Sequence, residues 1–266
     1  MEKGKIRLKF LSKFSNQTVY RVDHKTTEKD FEKAYNPFST SIDNQNLVTL
    51  NSSFRNNLYF NRSHPKFGCD ITYQDNRNKI LLTNGFDTRT NTKQGGSLRW
   101  NITRKLMFNV VFNYGKKTSS SEYFKSRDFD IDYQQAEPSF SFQPNNTFRV
   151  RLIYTYSKKE NVLSSSINEE LMENHKFGTE IKYNVAKKGN LLLKVNYIEI
   201  AYNSPENTSL AFEMLEGLKT GKNATWNISY QRNLSNNLQL SIIYDGRKSP
   251  GVNAVHIGNV QLMAYF

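Results

Sequence analysis

Few side chains in this sequence stand at spacings that chemistry requires. His256 follows Ser249 by seven residues, and a serine beside a histidine with a third orienting group could attack an ester. No Gly-x-Ser-x-Gly elbow accompanies them, and serine is common throughout the chain. The pair is therefore read as coincidence and the chain as a non-enzyme, with lipid hydrolysis as the alternative. Asp128, Asp130 and Asp132 offer oxygen ligands of the kind calcium takes. On a strand, however, this spacing spreads them along about 13 Å, and an inward ladder facing Arg149 and Arg151 suits them better. Cys69 is the only cysteine, so neither an internal disulfide nor a cysteine zinc site is available. No metal and no cofactor are expected.

The cationic side chains say more. Arg7, Lys9, Arg55, Arg99, Arg149, Arg151, Lys182 and Lys194 all fall on the polar parity of alternating segments. Two readings follow. They pair with Asp128, Asp130, Asp132, Glu180 and Glu199 and fill a narrow interior. Or Arg55, Arg99, Arg149, Arg151, Lys182 and Lys194 line an anion-leaning pore, or a seat for an acidic plug or partner. A second set, Lys116, Lys117, Lys158, Lys159, Arg247 and Lys248, falls in apparent loops, where it suits lipopolysaccharide phosphates. The net charge of +13 raises nucleic acid as a partner. The charge is spread along the chain without a recognisable binding signature, so nucleic acid is not expected.

The elements that must carry these residues repeat with a period of two. Phe67, Cys69, Ile71 and Tyr73 alternate with Asp70, Thr72 and Gln74; Leu106 to Tyr114 and Phe148 to Tyr156 behave alike. Such alternation is the mark of strands with one apolar face. No run approaches the ~20 apolar residues of a spanning helix, and mean hydropathy is −0.70. A transmembrane barrel needs only alternate apolar residues over ~9–11 positions, with aromatic girdles, and 15 Tyr and 18 Phe are present. Short turns near 62–65, 104–105, 144–146, 187–190 and 235–237 alternate with longer, more charged connections. That is the arrangement of an outer-membrane barrel. The expected fold is all-β, one transmembrane antiparallel up-and-down β-barrel of about 12 strands over residues 1–266.

Several local expectations accompany this. The polar stretches Asp23–Asn46, Lys116–Glu122 and Lys158–Asn174 are loops, the last with a short helix over Asn168–Glu173. Phe129, Ile131 and Tyr133 face outward, and the shift of parity to Pro138, Phe140 and Phe142 implies a β-bulge near Gln135. Leu210, Phe212 and Met214 share a strand parity with Trp226. The opening Met1-Glu-Lys-Gly-Lys-Ile-Arg7 lacks the apolar core of a secretory leader, so the chain is a mature or trimmed form, or the tail of a longer protein.

At Asn76-Arg-Asn-Lys-Ile-Leu-Leu-Thr-Asn-Gly-Phe86, Ala211-Phe-Glu-Met-Leu-Glu-Gly-Leu-Lys-Thr-Gly221 and Tyr244-Asp-Gly-Arg-Lys248, the chain resembles the carboxyl-terminal barrel region of large outer-membrane proteins of Bacteroidota. The resemblance covers nearly the whole chain and attaches no activity to these motifs. It implies a barrel that follows a long periplasmic or surface portion. The last strand resembles the terminal strand of bacterial outer-membrane barrels, where a final Phe and alternate apolar residues are read by the assembly machinery. That implies an assembly signal at Val260, Leu262, Ala264 and Phe266. Twelve strands in this length are also similar to autotransporter translocator barrels and outer-membrane phospholipase. The expectation is an outer-membrane anchor, translocator or narrow anion-leaning pore. Its expected partners are membrane lipid, lipopolysaccharide, the barrel-assembly machinery and a periplasmic or surface protein.

Overall fold

An alternating segment satisfies its backbone only by pairing with neighbours, and the computed structural model shows that pairing along the chain. It describes residues 12–27, 47–163, 170–185 and 188–264. The strands are β1 (Phe14–Thr26), β2 (Leu47–Phe60), β3 (Phe67–Leu82), β4 (Gly85–Asn101), β5 (Leu106–Ser121) and β6 (Phe129–Phe142). They continue as β7 (Phe148–Asn161), β8 (Glu170–Val185), β9 (Gly189–Tyr202), β10 (Gly221–Ser235), β11 (Leu238–Lys248) and β12 (Val255–Ala264). Sheet order equals chain order. The fold is all-β: a transmembrane antiparallel up-and-down β-barrel of twelve strands. Among the described residues β12 pairs with β11 alone, and no register joins it to β1.

Parity divides the wall into two faces. Ile71, Phe112, Leu152, Phe177 and Val260 lie on the outer one and are exposed, as lipid-facing residues must be. Asn57, Asn113, Ser139 and Thr155 lie on the inner one and are buried. Of the residues proposed as an assembly signal, Val260, Leu262 and Ala264 share the outer face of β12. Phe266 lies outside the described residues.

The strands run further than the alternation indicated. β1 continues through Thr26, β5 to Ser121, β7 to Asn161, and β8 begins at Glu170. The sixteen residues of β5 cover roughly 53 Å at ~3.3 Å each, well beyond a ~30 Å hydrocarbon layer. Beyond the aromatic band the outer face of β5 turns polar, with Lys116, Thr118 and Ser120, so the period-two signal fades while the ladder continues. The expected helix over Asn168–Glu173 is overturned for the residues described, since 170–173 belong to β8. The hairpin at Thr83-Asn84 does stand at the top of long strands, as Ile80–Leu82 suggested.

The bulge near Gln135 is absent. The β5–β6 register runs without a shift from Leu106–Phe142 to Ser119–Phe129, and β6 faces β7 with the same parity at both ends. Phe129, Ile131 and Tyr133 therefore point inward, not outward. Asp130 and Asp132 point outward, where Lys116 reaches them at 2.8 and 4.0 Å. The cause is a change of environment along one straight strand: its lower outer face meets lipid, its upper inner face an apolar cluster. Register shifts occur instead at Lys25/Thr26 and Asn233/Ser235.

Candidate functional site

The inner apolar cluster exists because the β9–β10 connection folds into the barrel. Its helix, α1 (Ser209–Leu215), replaces the strand expected at Leu210–Met214. The Thr208 side chain caps it by accepting a hydrogen bond from the Ala211 amide at 2.9 Å, satisfying one orphan donor of the first turn. Glu216 then enters the left-handed region at φ 55 and Gly217 follows at φ 74, a reversal that glycine tolerates best. Seven residues are too few for a helix stable by itself, so packing must hold it. Ala211, Met214 and Leu215, spaced to share one face, are buried against Ile131, Met172, Ile198 and Ile200. Phe212, at the flank of that face, is exposed.

Charge fixes the same helix from below. Lys117 Nζ meets Glu213 Oε1 at 2.9 Å. Lys159 Nζ donates to the Met214 carbonyl at 3.0 Å and to Glu216 Oε1 at 2.6 Å. Lys159 is only 6% exposed, and an ammonium that buried requires such partners. Its position beside the last carbonyls of α1 also complements the helix dipole. Burial pushes the Glu216 carboxyl up, but Lys159, Lys117 and Lys176 outweigh this and hold it below the usual carboxylate range. Beyond the helix, the Asn223 side chain donates to Lys219 O at 2.7 Å and Gly221 O at 3.0 Å, tying the connection back to β10. Beneath α1 lies a cavity of about 280 Å³ bordered by Lys93, Lys117, Lys159, Lys176, Glu137, Glu213 and Glu216.

Arg55, Arg99, Arg149, Arg151, Lys182 and Lys194 all lie on the inward parity, but they do not form one site. Arg99 clasps the β2–β3 turn, donating to Arg62 O at 3.1 Å and His64 O at 3.0 Å. Arg149 meets Glu180 at 2.9 Å, and Arg151 meets Glu137 at 3.5 Å. Among the described residues Arg55, Lys182 and Lys194 make no ion pair within 4 Å. Arg7 and Lys9 lie outside the described residues. Glu199 falls on the outer parity with Val195 and Tyr197, so it cannot pair with inward cations as expected. Asp128 instead accepts from the Ser121 amide at 2.6 Å and faces Lys125.

The supposed loop cations also move. Lys117 and Lys159 are inward strand residues that seat α1, whereas Lys116 and Lys158 are outward and engaged by acids. Lys248 donates to Val252 O at 2.6 Å. His256 sits on the outer face, its Nδ1 2.7 Å from the Tyr244 hydroxyl and its ring 5.6 Å from that of Trp226. Trp226 lies across Gly246, where a Cβ would come within 2.1 Å of the indole. Ser249, one residue past the end of β11, is buried, whereas His256 is exposed on β12. No hydrogen bond joins the candidate esterase pair among the described residues; the histidine is engaged by Tyr244. Among the described residues no group of His, Cys, Asp and Glu could hold a metal ion.

No protein-family model matches the chain, and no curated protein matches it in sequence. Among solved structures it is similar to the siderophore receptor PirA from Acinetobacter baumannii, with a TM-score of 0.58 and 9% identity. That likeness covers 95% of this chain and 41% of the receptor, so the chain spans less than half of the receptor's length. It is also similar to the translocator domain of the autotransporter NalP from Neisseria meningitidis, with a TM-score of 0.39 and 10% identity over 100% of this chain and 95% of that one. At 9% identity the likeness to the receptor is one of fold.

Proposed function

We propose that the chain is the wall of an outer-membrane transport barrel, anchoring its protein in the membrane and enclosing a narrow conduit. It is the carboxyl-terminal barrel part of a larger Bacteroidota protein. β12 carries this reading. Its outer face presents Val260 and Leu262, and its inward-parity Ile257 is 63% exposed although it should face an interior. Lipid offers no hydrogen bonds, so each bare backbone group on a strand edge costs several kcal/mol. A further strand beside β12 removes that cost, and a longer parent barrel supplies one. The likeness to a receptor more than twice as long agrees. Val260 and Leu262 are then the outer-face residues presented to the assembly machinery.

The paired Arg149 and Arg151 and the seated α1 favour a restricted lumen over an open pore. Ester hydrolysis is not favoured, because Ser249 is buried and the His256 ring is engaged by the Tyr244 hydroxyl.

The test is production with and without the upstream coding region, followed by membrane fractionation and gel migration of unboiled and boiled samples. A membrane-bound, heat-modifiable species is expected only with the upstream region. Recovery of a soluble monomer without detergent sinks the membrane reading. A heat-modifiable barrel from residues 1–266 alone sinks the larger-barrel part.

A further inference from the structure

We propose that α1 occupies a lumenal binding site for a small polycarboxylate, which enters by displacing the helix's own two carboxylates. The inference rests on the barrel reading for what counts as the lumen. Four ammonium groups, those of Lys93, Lys117, Lys159 and Lys176, border one cavity of about 280 Å³. The helix engages two of them, through Glu213 at 2.9 Å and Glu216 at 2.6 Å. Lys93 and Lys176 make no ion pair within 4 Å among the described residues. The remaining cavity acid, Glu137, is engaged by Arg151 at 3.5 Å and by the Thr155 hydroxyl at 3.2 Å.

Without Glu213 and Glu216 the cavity would therefore hold four cations against one carboxylate that is already engaged. While α1 is seated, the buried Lys159 ammonium is held by Glu216 and the Met214 carbonyl. The four ammonium groups concentrate positive charge on one cavity, and Glu213 and Glu216 of the α1 segment are the anions that offset it. Glu213 stands in the last turn of α1 and Glu216 just past its end, and both border the cavity. A compact ligand with two or more carboxylates offers the same charges to the same ammonium groups. The helix belongs to the connection between β9 and β10, so it can leave without breaking a strand ladder.

The test is calorimetric titration of citrate into the full-length protein in detergent, at constant ionic strength set with sodium chloride. Glu213→Gln/Glu216→Gln removes the internal competitor and should bind citrate about tenfold more tightly than the wild type, from two partly exposed ion pairs. Lys93→Met/Lys176→Met should bind at least about tenfold more weakly, the cost of losing two charge-assisted contacts. Lys158→Met, on the outer face, should match the wild type. Equal or weaker binding by the glutamine variant overturns the competition, and unchanged binding by the methionine variant overturns the site. Heat-modifiability is checked for every variant. If the wild type lacks it, the barrel reading has failed; a heat-modifiable wild type that ignores citrate refutes the site alone.

Discussion

Met214→Ala tests whether packing, and not charge alone, seats α1. Met214 has no exposed surface, and its side chain meets Ile131, Met172, Ile198 and Ile200 in the cluster. Truncating a buried methionine to alanine costs about 2–5 kcal/mol, depending on how far the site relaxes. The ladder does not depend on this contact, so the cost falls on the docked state of residues 209–218. At 1.4 kcal/mol per tenfold, even the lower figure raises the undocked population by about 25-fold. Amide hydrogen exchange reads that population directly. Protection in 209–215 should fall by about that factor, while the β5 and β7 amides keep theirs. Phe212→Ala on the same helix, at a residue 70% exposed, should change exchange by no more than about twofold. Equal effects from the two substitutions, or none from Met214→Ala, refute the packing argument.

Acid should loosen the same seat. The folded-state Glu216 carboxyl is held below its ordinary 4.5, so its contribution is complete above that value and disappears as pH falls through the lowered one. Exchange in 209–215 should therefore be flat from pH 7 to pH 5, after correction for intrinsic rates, and accelerate below 4.5; acceleration already at pH 6 contradicts this. In planar bilayers, Arg149→Gln/Arg151→Gln releases Glu180 and Glu137 and should shift selectivity toward cations, read as a change of reversal potential in a salt gradient. Gly246→Val should disturb the outer aromatic cluster by driving a side chain into Trp226; a fluorescence spectrum identical to the wild type's refutes that placement.

The fold was legible because lipid imposes period two on the outer face, as in Phe108, Val110 and Phe112. Where lipid ends, the same rule misleads. Phe129, Ile131 and Tyr133 keep the parity of β6, but the apolar character of Phe129 and Ile131 answers to α1, not to the membrane. The helix itself carried a readable sign. Ala211, Met214 and Leu215 have helical spacing, Thr208 precedes them as a cap, and Gly217 follows. Leu210, Phe212 and Met214 offer a competing period of two that suits a strand. Residues Lys117 and Lys159 were hidden for a different reason: their acids lie 96 and 57 residues away along the chain, a pairing that only the inward fold of the β9–β10 connection brings about.

The height of the strands has a mechanical consequence for α1. On β5 the outward aromatic series ends at Tyr114, and the helix contact, Lys117, lies three residues further up. The same is true of β7, where Tyr156 is the last outward ring and Lys159 the seat. The helix thus rests on wall residues beyond the last outward aromatic rings. Changes in bilayer thickness or lateral pressure act on the aromatic bands, which can tilt or sink to follow them. The Lys117 and Lys159 contacts with α1 lie beyond those bands, so the residues that seat the helix are not the ones on which such changes act.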